Sequence, residues 1–452
     1  MSVSTRPNVL LFMMDALRPD RLEPWRGTIP LCGPPHATPN FARLAAEGVF
    51  FGNCFSHMPS SHPARASILT GRDPHTTGIR INSRPLVASE TTLAQILRDA
   101  GYLTATTRKF PAGMGRGFTE QGLATNVLSP FDQGPWDVVT DLPEIPDDEA
   151  KADVVLDVNA LVRWLQAYVA TPERRERPFF LWADCEDTHE PWRPPKPFDT
   201  LYDPEPYDGP DVSCPPMYSP HLSERQVRRA RALYDGVVAL LDKHLGRLLD
   251  VLDWLDLAQD TLLIVMSDHG VHLGEQHLWR KPPTLFDAVL RSTLVMRRPH
   301  SLPAGVYADG LALMNDVFAT VLEEAGLPLP KAAEGQCVSL CPLWRGASQV
   351  REFVPLEFNR YKGTVGKGIR TERWKYVYYR SVGDIIWDTM APGDVWRGRG
   401  WPLAMLFDLE RDPYELVDVS AEHPDVVRRM RDRMLDWLID SENDLPAPPP
   451  GD

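Results

Sequence analysis

Cysteine is scarce in this chain, and its sequence lacks long apolar runs. The 452 residues include six cysteines, and no two of them have the Cys-x-x-Cys spacing of a zinc finger or a redox site. So few cysteines favour reduced thiols over a disulfide framework, as expected of an intracellular protein. No apolar run approaches the roughly 18 residues that a membrane-spanning helix needs. The sequence therefore predicts no membrane span.

Basic residues are also fewer than acidic residues. The 48 Lys and Arg residues are outnumbered by 62 Asp and Glu residues, which gives a formal net charge of -14. This balance argues against nucleic acid or an acidic membrane surface as a partner. A small anionic substrate stays compatible with it, because a few local basic side chains and a metal ion decide the binding of such a molecule.

The N-terminal segment lacks the features of a secretion signal. Its apolar run, Val9–Met14, is too short for a signal peptide and ends in charged residues instead of a small-residue cleavage site. We interpret this run as a buried first strand, and we expect a cytoplasmic protein.

Apolar runs alternate with helical patterns over most of the chain. Two continuous apolar runs have the pattern of central parallel strands covered on both faces, Phe179–Ala183 and Thr261–Met266, and the first strand is expected at Asn8–Met14. The longest helical pattern covers Ser223–Leu255, with apolar residues every three or four positions and a capping box at Ser223 and Gln226. This alternation predicts an α/β fold, with a mixed, mostly parallel sheet sandwiched by helices.

The C-terminal quarter has a different pattern. Residues 351–379 and Leu406–Leu409 are predicted strands with little helix between them, and an amphipathic helix follows at Pro424–Leu438. We therefore expect a larger α/β domain over residues 1–345 and a smaller α+β domain, with an antiparallel sheet and one helix, over residues 346–452.

Potential metal ligands follow two of the predicted central strands. Asp15 comes directly after the first strand, and Asp268-His269-Gly270 comes after the strand Thr261–Met266. Ligands of open α/β sheets bind outside the carboxyl ends of the strands, so these side chains are expected at one edge of the sheet. Carboxylate and imidazole groups there suit a divalent cation.

A serine and an arginine lie at the start of another predicted helix. Pro63 suits the first turn of a helix, which puts Ser61 at its cap. Backbone N–H groups and the helix dipole favour an anion at this position. A nucleophile at Ser61 would have its developing charge stabilised, and Arg65, one turn on, could hold it.

Together these segments resemble the sulfatases of the alkaline-phosphatase superfamily. The family signature C/S-x-P-x-R, followed by a helix ending in T-G-R, is met by Ser61–Arg72. The first-strand metal motif is met by Asn8–Asp20, and the later metal and lysine block by Ser267–Pro283 and Arg291–Pro299. The resemblance runs along nearly the whole chain. It implies a metal-dependent hydrolase of sulfate esters, with a phosphonate monoester or phosphodiester hydrolase on the same site as the alternative.

The resemblance also implies roles for individual residues. One divalent metal ion would be held by Asp15, Ser61, Asp268 and His269. Ser61 would be the nucleophile, in sulfatases usually after oxidation to formylglycine, whose hydrate attacks sulfur and would be supported by Arg65.

Further roles follow for residues around the reacting group. Lys109 and Lys281 would neutralise the sulfuryl oxygens of a small anionic ester substrate. His189 would act as general acid at the leaving-group oxygen. As walls of the substrate pocket, the sequence suggests His57, Asn82, Trp192 and Trp279.

The chain departs from the family pattern at several positions. Ala16 follows Asp15 where many sulfatases carry a second acid, and Pro111 stands where a Lys-x-His motif would place histidine. His269 replaces the usual asparagine, and an imidazole suits manganese, iron or zinc better than an all-oxygen calcium shell does. Calcium or manganese is expected, and magnesium, iron or zinc would also be compatible.

Serine in place of cysteine at position 61 leaves three explanations. A formylglycine-generating enzyme could oxidise Ser61, the unmodified serine could attack directly, or a natural cysteine could have been replaced. A two-zinc phosphodiesterase with Asp184 and His189 as extra ligands is a variant. A hypothesis of another class is a catalytically inactive scaffold that binds a sulfated or phosphorylated ligand. The Trp- and Gly-rich insert 387–401 suggests a lid or a contact in a homo-oligomer.

Overall fold

The computed structural model describes residues 6–29, 37–82, 84–111, 113–124, 148–361, 364–381 and 404–442. The insert 387–401 therefore lies outside the described residues. The strands are β1 Asn8–Met14, β2 Val49–Phe51, β3 Cys54–Phe55, β4 Leu103–Thr106, β5 Glu120–Gln121, β6 Phe179–Cys185, β7 Thr261–Met266, β8 His272–Leu273, β9 Trp279–Arg280, β10 Leu294–Arg297, β11 Val306–Ala308, β12 Ala312–Leu313, β13 Val354–Tyr361, β14 Thr364–Arg370, β15 Trp374–Ser381 and β16 Ala404–Asp408. The α-helices are α1 Pro39–Ala46, α2 Ser61–Thr70, α3 Pro74–Thr77, α4 Leu93–Asp99, α5 Asp153–Ala170, α6 Pro172–Arg175, α7 Glu224–Trp254, α8 Asp287–Leu290, α9 Asp316–Glu324, α10 Cys341–Trp344 and α11 Pro424–Glu442.

The main sheet is mixed and mostly parallel, which confirms the predicted fold class. Its strand order is β11-β2-β10-β7-β1-β6-β4-β5. The five strands from β7 to β5 are parallel, whereas β10 runs antiparallel to both β7 and β2. Since β1 lies between β6 and β7, Phe12 is opposite Ala183 on one side and Val265 on the other.

The apolar sequence of β1 explains its central place. All seven of its residues are buried. Alternate side chains enter two cores on opposite faces of the sheet: Leu10, Phe12 and Met14 enter one, and Val9, Leu11 and Met13 enter the other. Helices α1, α5 and α7 cover the first core, and α2, α4 and α9 cover the second. Full burial of each large apolar side chain stabilises the fold by about 1.5–3 kcal/mol.

The longest helix, α7, begins where its capping box predicts. The Ser223 side chain accepts a hydrogen bond from the Gln226 backbone N–H, and the Gln226 side chain accepts one from the Ser223 backbone N–H at 2.9 Å. None of the described helices combines the length and the hydropathy needed to cross a membrane.

A second, antiparallel sheet with the order β13-β14-β15-β16 follows. One face packs on α11, where Ile369 and Tyr376 share a core with Met430 and Trp437. The other face packs on the segment around β3 and α8 of the main unit. This confirms the smaller antiparallel sheet with one helix, while the boundary near residue 346 stays a prediction.

Candidate active site

Three acids lie at the carboxyl ends of neighbouring strands of the main sheet. Asp15 follows β1, Asp184 is the penultimate residue of β6, and Asp268 comes two residues after β7. They are 2%, 4% and 0% exposed, respectively. Parallel strands bring their carboxyl ends to one edge, so residues far apart in sequence meet here. The sequence suggested Asp184 only as an extra ligand of the two-zinc variant, although it ends an apolar run much as Asp15 and Asp268 do.

Asp15, Asp268 and His269 form a group that could hold a metal ion. All three are buried, and one ligand atom from each lies within 4.8 Å of the others. The buried Asp15 Oδ1 accepts no hydrogen bond from the described residues, so one anionic oxygen lacks a protein donor. A carboxylate oxygen without a donor in a buried site is costly unless a cation compensates it. The residues therefore fit a divalent cation.

The backbone around this group fixes its geometry. Asp268 Oδ1 accepts hydrogen bonds from the backbone N–H of Ala16 at 3.0 Å and of His269 at 2.9 Å. Ala16 has a φ of 59°, in the left-handed region, and its backbone thus supports Asp268 where many sulfatases carry an acid. His269 Nδ1 lies 2.8 Å from the Gly270 carbonyl oxygen, so it is the protonated nitrogen and Nε2 is free as a ligand. Burial lowers the pKa of His269, which favours this neutral form.

Ser61 is the first residue of α2, and the prediction that it caps the helix is wrong. The cap is Ser60, with extended backbone angles of -151° and 127°. The Ser60 hydroxyl donates to Asn82 Oδ1 at 2.7 Å instead of capping the helix. One residue further on, Ser61 Oγ donates to Asp15 Oδ2 at 2.9 Å and lies 3.2 Å from His269 Nε2. The hydroxyl is thus adjacent to the candidate metal ligands.

Arg65 lies at the centre of the three strand-end acids. Its guanidinium binds both oxygens of Asp184, with Nε–Oδ2 and Nη2–Oδ1 distances of 2.8 and 2.6 Å. It also donates to Asp268 Oδ2 and lies 3.2 Å from Asp15 Oδ2. Burial alone would lower the pKa of Arg65, but the surrounding carboxylates hold it well above its usual value. In this structure Arg65 therefore contacts three acids at once, a contact set that the sequence did not predict.

A second basic group approaches Asp15 from the segment after β9. Lys281 Nζ lies 3.9 Å from Asp15 Oδ1 and 3.5 Å from Glu190 Oε2. Burial tends to raise the pKa of Asp15, but the positive charges of Lys281 and Arg65 outweigh it and hold that pKa below its usual range. Glu190, which the sequence did not single out, also accepts a hydrogen bond from Arg280 Nε at 2.9 Å. His189 is 40% exposed, and its Nδ1 lies 2.7 Å from the Glu190 carbonyl oxygen.

Two cavities open beside Ser61. The larger cavity, of about 1040 Å³, is lined by Ser61, Asp15, Arg65, Asn82, Lys109 and His189 among others. The smaller cavity, of about 460 Å³, shares Ser61, Asn82 and His189 and adds Lys281. Lys109 is exposed at the wall of the larger cavity. The structure thus brings most predicted site residues together around Ser61.

Three of the predicted pocket residues lie away from the cavities: His57, Trp192 and Trp279. None of them lines either cavity among the described residues. His57 is 2% exposed, and its Nε2 lies 2.7 Å from Asp73 Oδ1. Trp192 and Trp279 are buried in the core, with ring centroids 6.4 Å apart.

A hydroxyl at a helix start, beside buried acids and an imidazole at strand ends, is an arrangement suited to metal-dependent ester hydrolysis. A family model described as Sulfatase matches residues 7–327, and the chain belongs to the sulfatase family. It is therefore a hydrolase of sulfuric esters, in a family that depends on a metal ion.

Relatives agree with this membership. The choline-sulfatase of Rhizobium meliloti is 29% identical over 465 residues, which cover 93% of this chain and 83% of the relative. An arylsulfatase of Clostridium perfringens is 25% identical over 494 residues, covering 96% and 94%. The crystal structure of a phosphonate monoester hydrolase of Agrobacterium radiobacter has a TM-score of 0.73 at 21% identity and covers 96% of each chain, which shows the shared fold.

Proposed function

We propose that the chain hydrolyses a sulfate ester at the junction of the two cavities, with the side chain at position 61 attacking sulfur. The observation that carries this proposal is the position of Ser61 Oγ, 2.9 Å from Asp15 Oδ2 and 3.2 Å from His269 Nε2. Ser61 lines both cavities, so an ester group could approach it while the alcohol part occupies one of them.

A divalent cation would be held by Asp15, Asp268 and His269, with the side chain at position 61 as a further ligand. When bound, it would polarise a sulfuryl oxygen as a Lewis acid. Arg65 holds the carboxylates in place, since its guanidinium contacts three of them. The donor set of two carboxylates and one neutral imidazole favours manganese over calcium.

Basic side chains around Ser61 would stabilise charge on the sulfuryl oxygens. Lys281 lies at the wall of the smaller cavity and Lys109 at that of the larger one. Two cations near the reacting group would stabilise negative charge that grows in the transition state. His189 borders both cavities, and its Nδ1–H is directed to a backbone carbonyl oxygen, so Nε2 would be the atom that gives a proton to the leaving oxygen.

The modification state of Ser61 decides how the enzyme turns over. Oxidation to formylglycine by a separate formylglycine-generating enzyme would remove two hydrogens from the side chain. Mass spectrometry of the peptide that contains Ser61 should find this loss. A wholly unmodified serine in an active preparation would contradict the modified sulfatase and would favour direct attack on a phosphonate ester.

Turnover of 4-nitrophenyl sulfate with added manganese tests the function. We expect activity that Ser61→Ala abolishes and that Ser67→Ala keeps, since Ser67 lies in the same helix and its buried hydroxyl has no hydrogen-bond partner among the described residues. Hydrolysis of 4-nitrophenyl phenylphosphonate without hydrolysis of the sulfate would replace the proposal by the phosphonate reaction. No turnover of either ester would favour a scaffold that only binds sulfated ligands.

A further inference from the structure

The two cavities that meet at Ser61 differ in charge. The smaller cavity is lined by three basic side chains, Arg80, Arg280 and Lys281, and by one carboxylate, Glu190, among the described residues. In the described lining of the larger cavity, carboxylates outnumber basic side chains. A cleft lined by one sign of charge concentrates ligands of the opposite sign. The smaller cavity is therefore the one suited to a negatively charged part of a substrate.

Glu190 alone cannot neutralise the positive charges of the smaller cavity. Its Oε1 accepts a hydrogen bond from Arg280 Nε at 2.9 Å, while its Oε2 lies 3.5 Å from Lys281 Nζ. Successive side chains of an extended segment normally point to opposite sides. Arg280 has a φ of 62°, in the left-handed region, and this turn lets both cations reach the same carboxylate. Glu190 is thus close to two positive charges, of which Lys281 also lies 3.9 Å from Asp15 Oδ1.

Arg80 adds a third positive charge at the wall of this cavity. It is exposed, and its Nη2 donates one long hydrogen bond, of 3.3 Å, to the His75 carbonyl oxygen. No described carboxylate lies within ion-pair distance of it. Its guanidinium therefore keeps donors for a ligand, and a guanidinium fork suits a carboxylate or a sulfate group.

The rest of the lining combines apolar side chains with the polar residues near Ser61. Met58, Ile81, Met217 and Phe358 line the smaller cavity beside the three basic groups. A ligand that fits this surface combines an apolar body with an anionic group.

We propose that the smaller cavity binds the alcohol part of the substrate and that this alcohol carries a second anionic group, bound by Arg80. This inference rests on the proposed function, because it places the ester group at Ser61. The substrate class is then a sulfate ester of an amphipathic alcohol with a carboxylate or a second sulfate group.

Two ester substrates of the same shape test the proposal. In 3-carboxyphenyl sulfate the second group is charged, whereas in 3-carbamoylphenyl sulfate it is neutral. The holoenzyme should have the higher kcat/KM for the carboxylate, and rising salt should reduce this preference. Arg80→Gln should lower kcat/KM for the carboxylate by roughly tenfold, chiefly through KM, and should lower that for the amide much less, because charge-assisted hydrogen bonds are the stronger ones.

Arg98→Gln is the matched control, since Arg98 is an exposed arginine of α4 that lines neither cavity and pairs with its neighbour Asp99. It should keep the full preference, and Arg80→Lys should keep part of it. Equal kcat/KM values for the two esters in the unaltered enzyme, or an equal loss for both in Arg80→Gln, would overturn the proposal.

A binding measurement separates this proposal from the proposed function. Calorimetric titration with 3-sulfobenzoate and 3-sulfobenzamide needs no turnover. Tighter binding of the carboxylate, lost in Arg80→Gln, would support the anion subsite even if neither ester is hydrolysed, in which case the proposed function alone fails. Equal affinities for the two compounds would contradict the subsite whether or not the enzyme is active.

Discussion

Replacement of Arg65 by methionine should strongly destabilise the protein. Methionine keeps much of the volume of the side chain but removes the charge that faces Asp15, Asp184 and Asp268, which are 2%, 4% and 0% exposed. Loss of one partner from a buried ion pair costs about 3–5 kcal/mol, because the other charge stays in a medium of low polarity. Burial already raises the pKa of Asp184 above its usual value even with Arg65 present. Uptake of a proton can therefore limit the loss, and we expect the free energy of unfolding to fall by about 3–5 kcal/mol and no more.

The pH dependence of this loss has a definite sign. In the unaltered protein the pKa of Asp15 is held below its usual value, so its contribution to stability is present above the pKa of the unfolded chain and is lost as the pH falls through the folded-state pKa. Without Arg65, the buried carboxylates should have raised pKa values, and protonation should then favour the folded state. The difference between the two proteins should therefore shrink from about pH 7 to about pH 5.

Urea unfolding with a chelator present, followed by fluorescence and circular dichroism, measures the effect. Arg98→Met is the control, because Arg98 pairs with Asp99 at the surface and an exposed pair contributes about 0–1 kcal/mol. Arg65→Lys should lie between the two, since a lysine keeps the charge but cannot bind both oxygens of Asp184. Equal midpoints for Arg65→Met and Arg98→Met would refute the reasoning.

Three further changes test other parts of the structure. Asp268→Ala should lower the metal content, measured by mass spectrometry of the bound element, from about one ion per chain; retention of that ion would remove Asp268 from the ligand set. Ser223→Ala should cost about 1 kcal/mol of unfolding free energy, because it removes the cap of α7; an unchanged urea midpoint would contradict this. Phe12→Ala should cost about 3–5 kcal/mol, since Phe12 is fully buried beside the central strands, and a loss below that of Ser223→Ala would be inconsistent with a rigid core there.

The central strands were the most predictable part of the fold. The bounds of β1 and β7 agree with their apolar runs because both strands are buried along their whole length. The start of α7 was also readable, since Ser223 and Gln226 satisfy each other's backbone groups within four residues of chain. Signals of this kind depend only on residues that are close together in the chain, so they can be predicted from a single sequence.

The features that the sequence could not predict depend on contacts between residues that are far apart in the chain. Ser60 and Ser61 are equally good caps by residue type, and the contact of Ser60 with Asn82, 22 residues away, separates their roles. Arg65 reaches Asp184 across 119 residues because β6 lies next to β1, and strand order is not encoded in any local pattern. Histidine is a residue type that often lines binding pockets, but the ring of His57 faces Asp73.

The charge of the strand-end cluster links the metal to the fold. Asp15, Asp184 and Asp268 bring three carboxylates to one sheet edge, while Arg65 and Lys281 supply two positive charges there. Burial lowers the pKa of His269, so the imidazole adds none. One buried negative charge is left in excess, and Asp15 Oδ1 has no donor among the described residues. Such a charge destabilises the folded chain unless a cation binds, and a ligand that binds only the folded state stabilises it. A chain with this sequence should therefore gain stability from the ion that its reaction requires, so that selection for the fold and selection for the metal act on the same side chains.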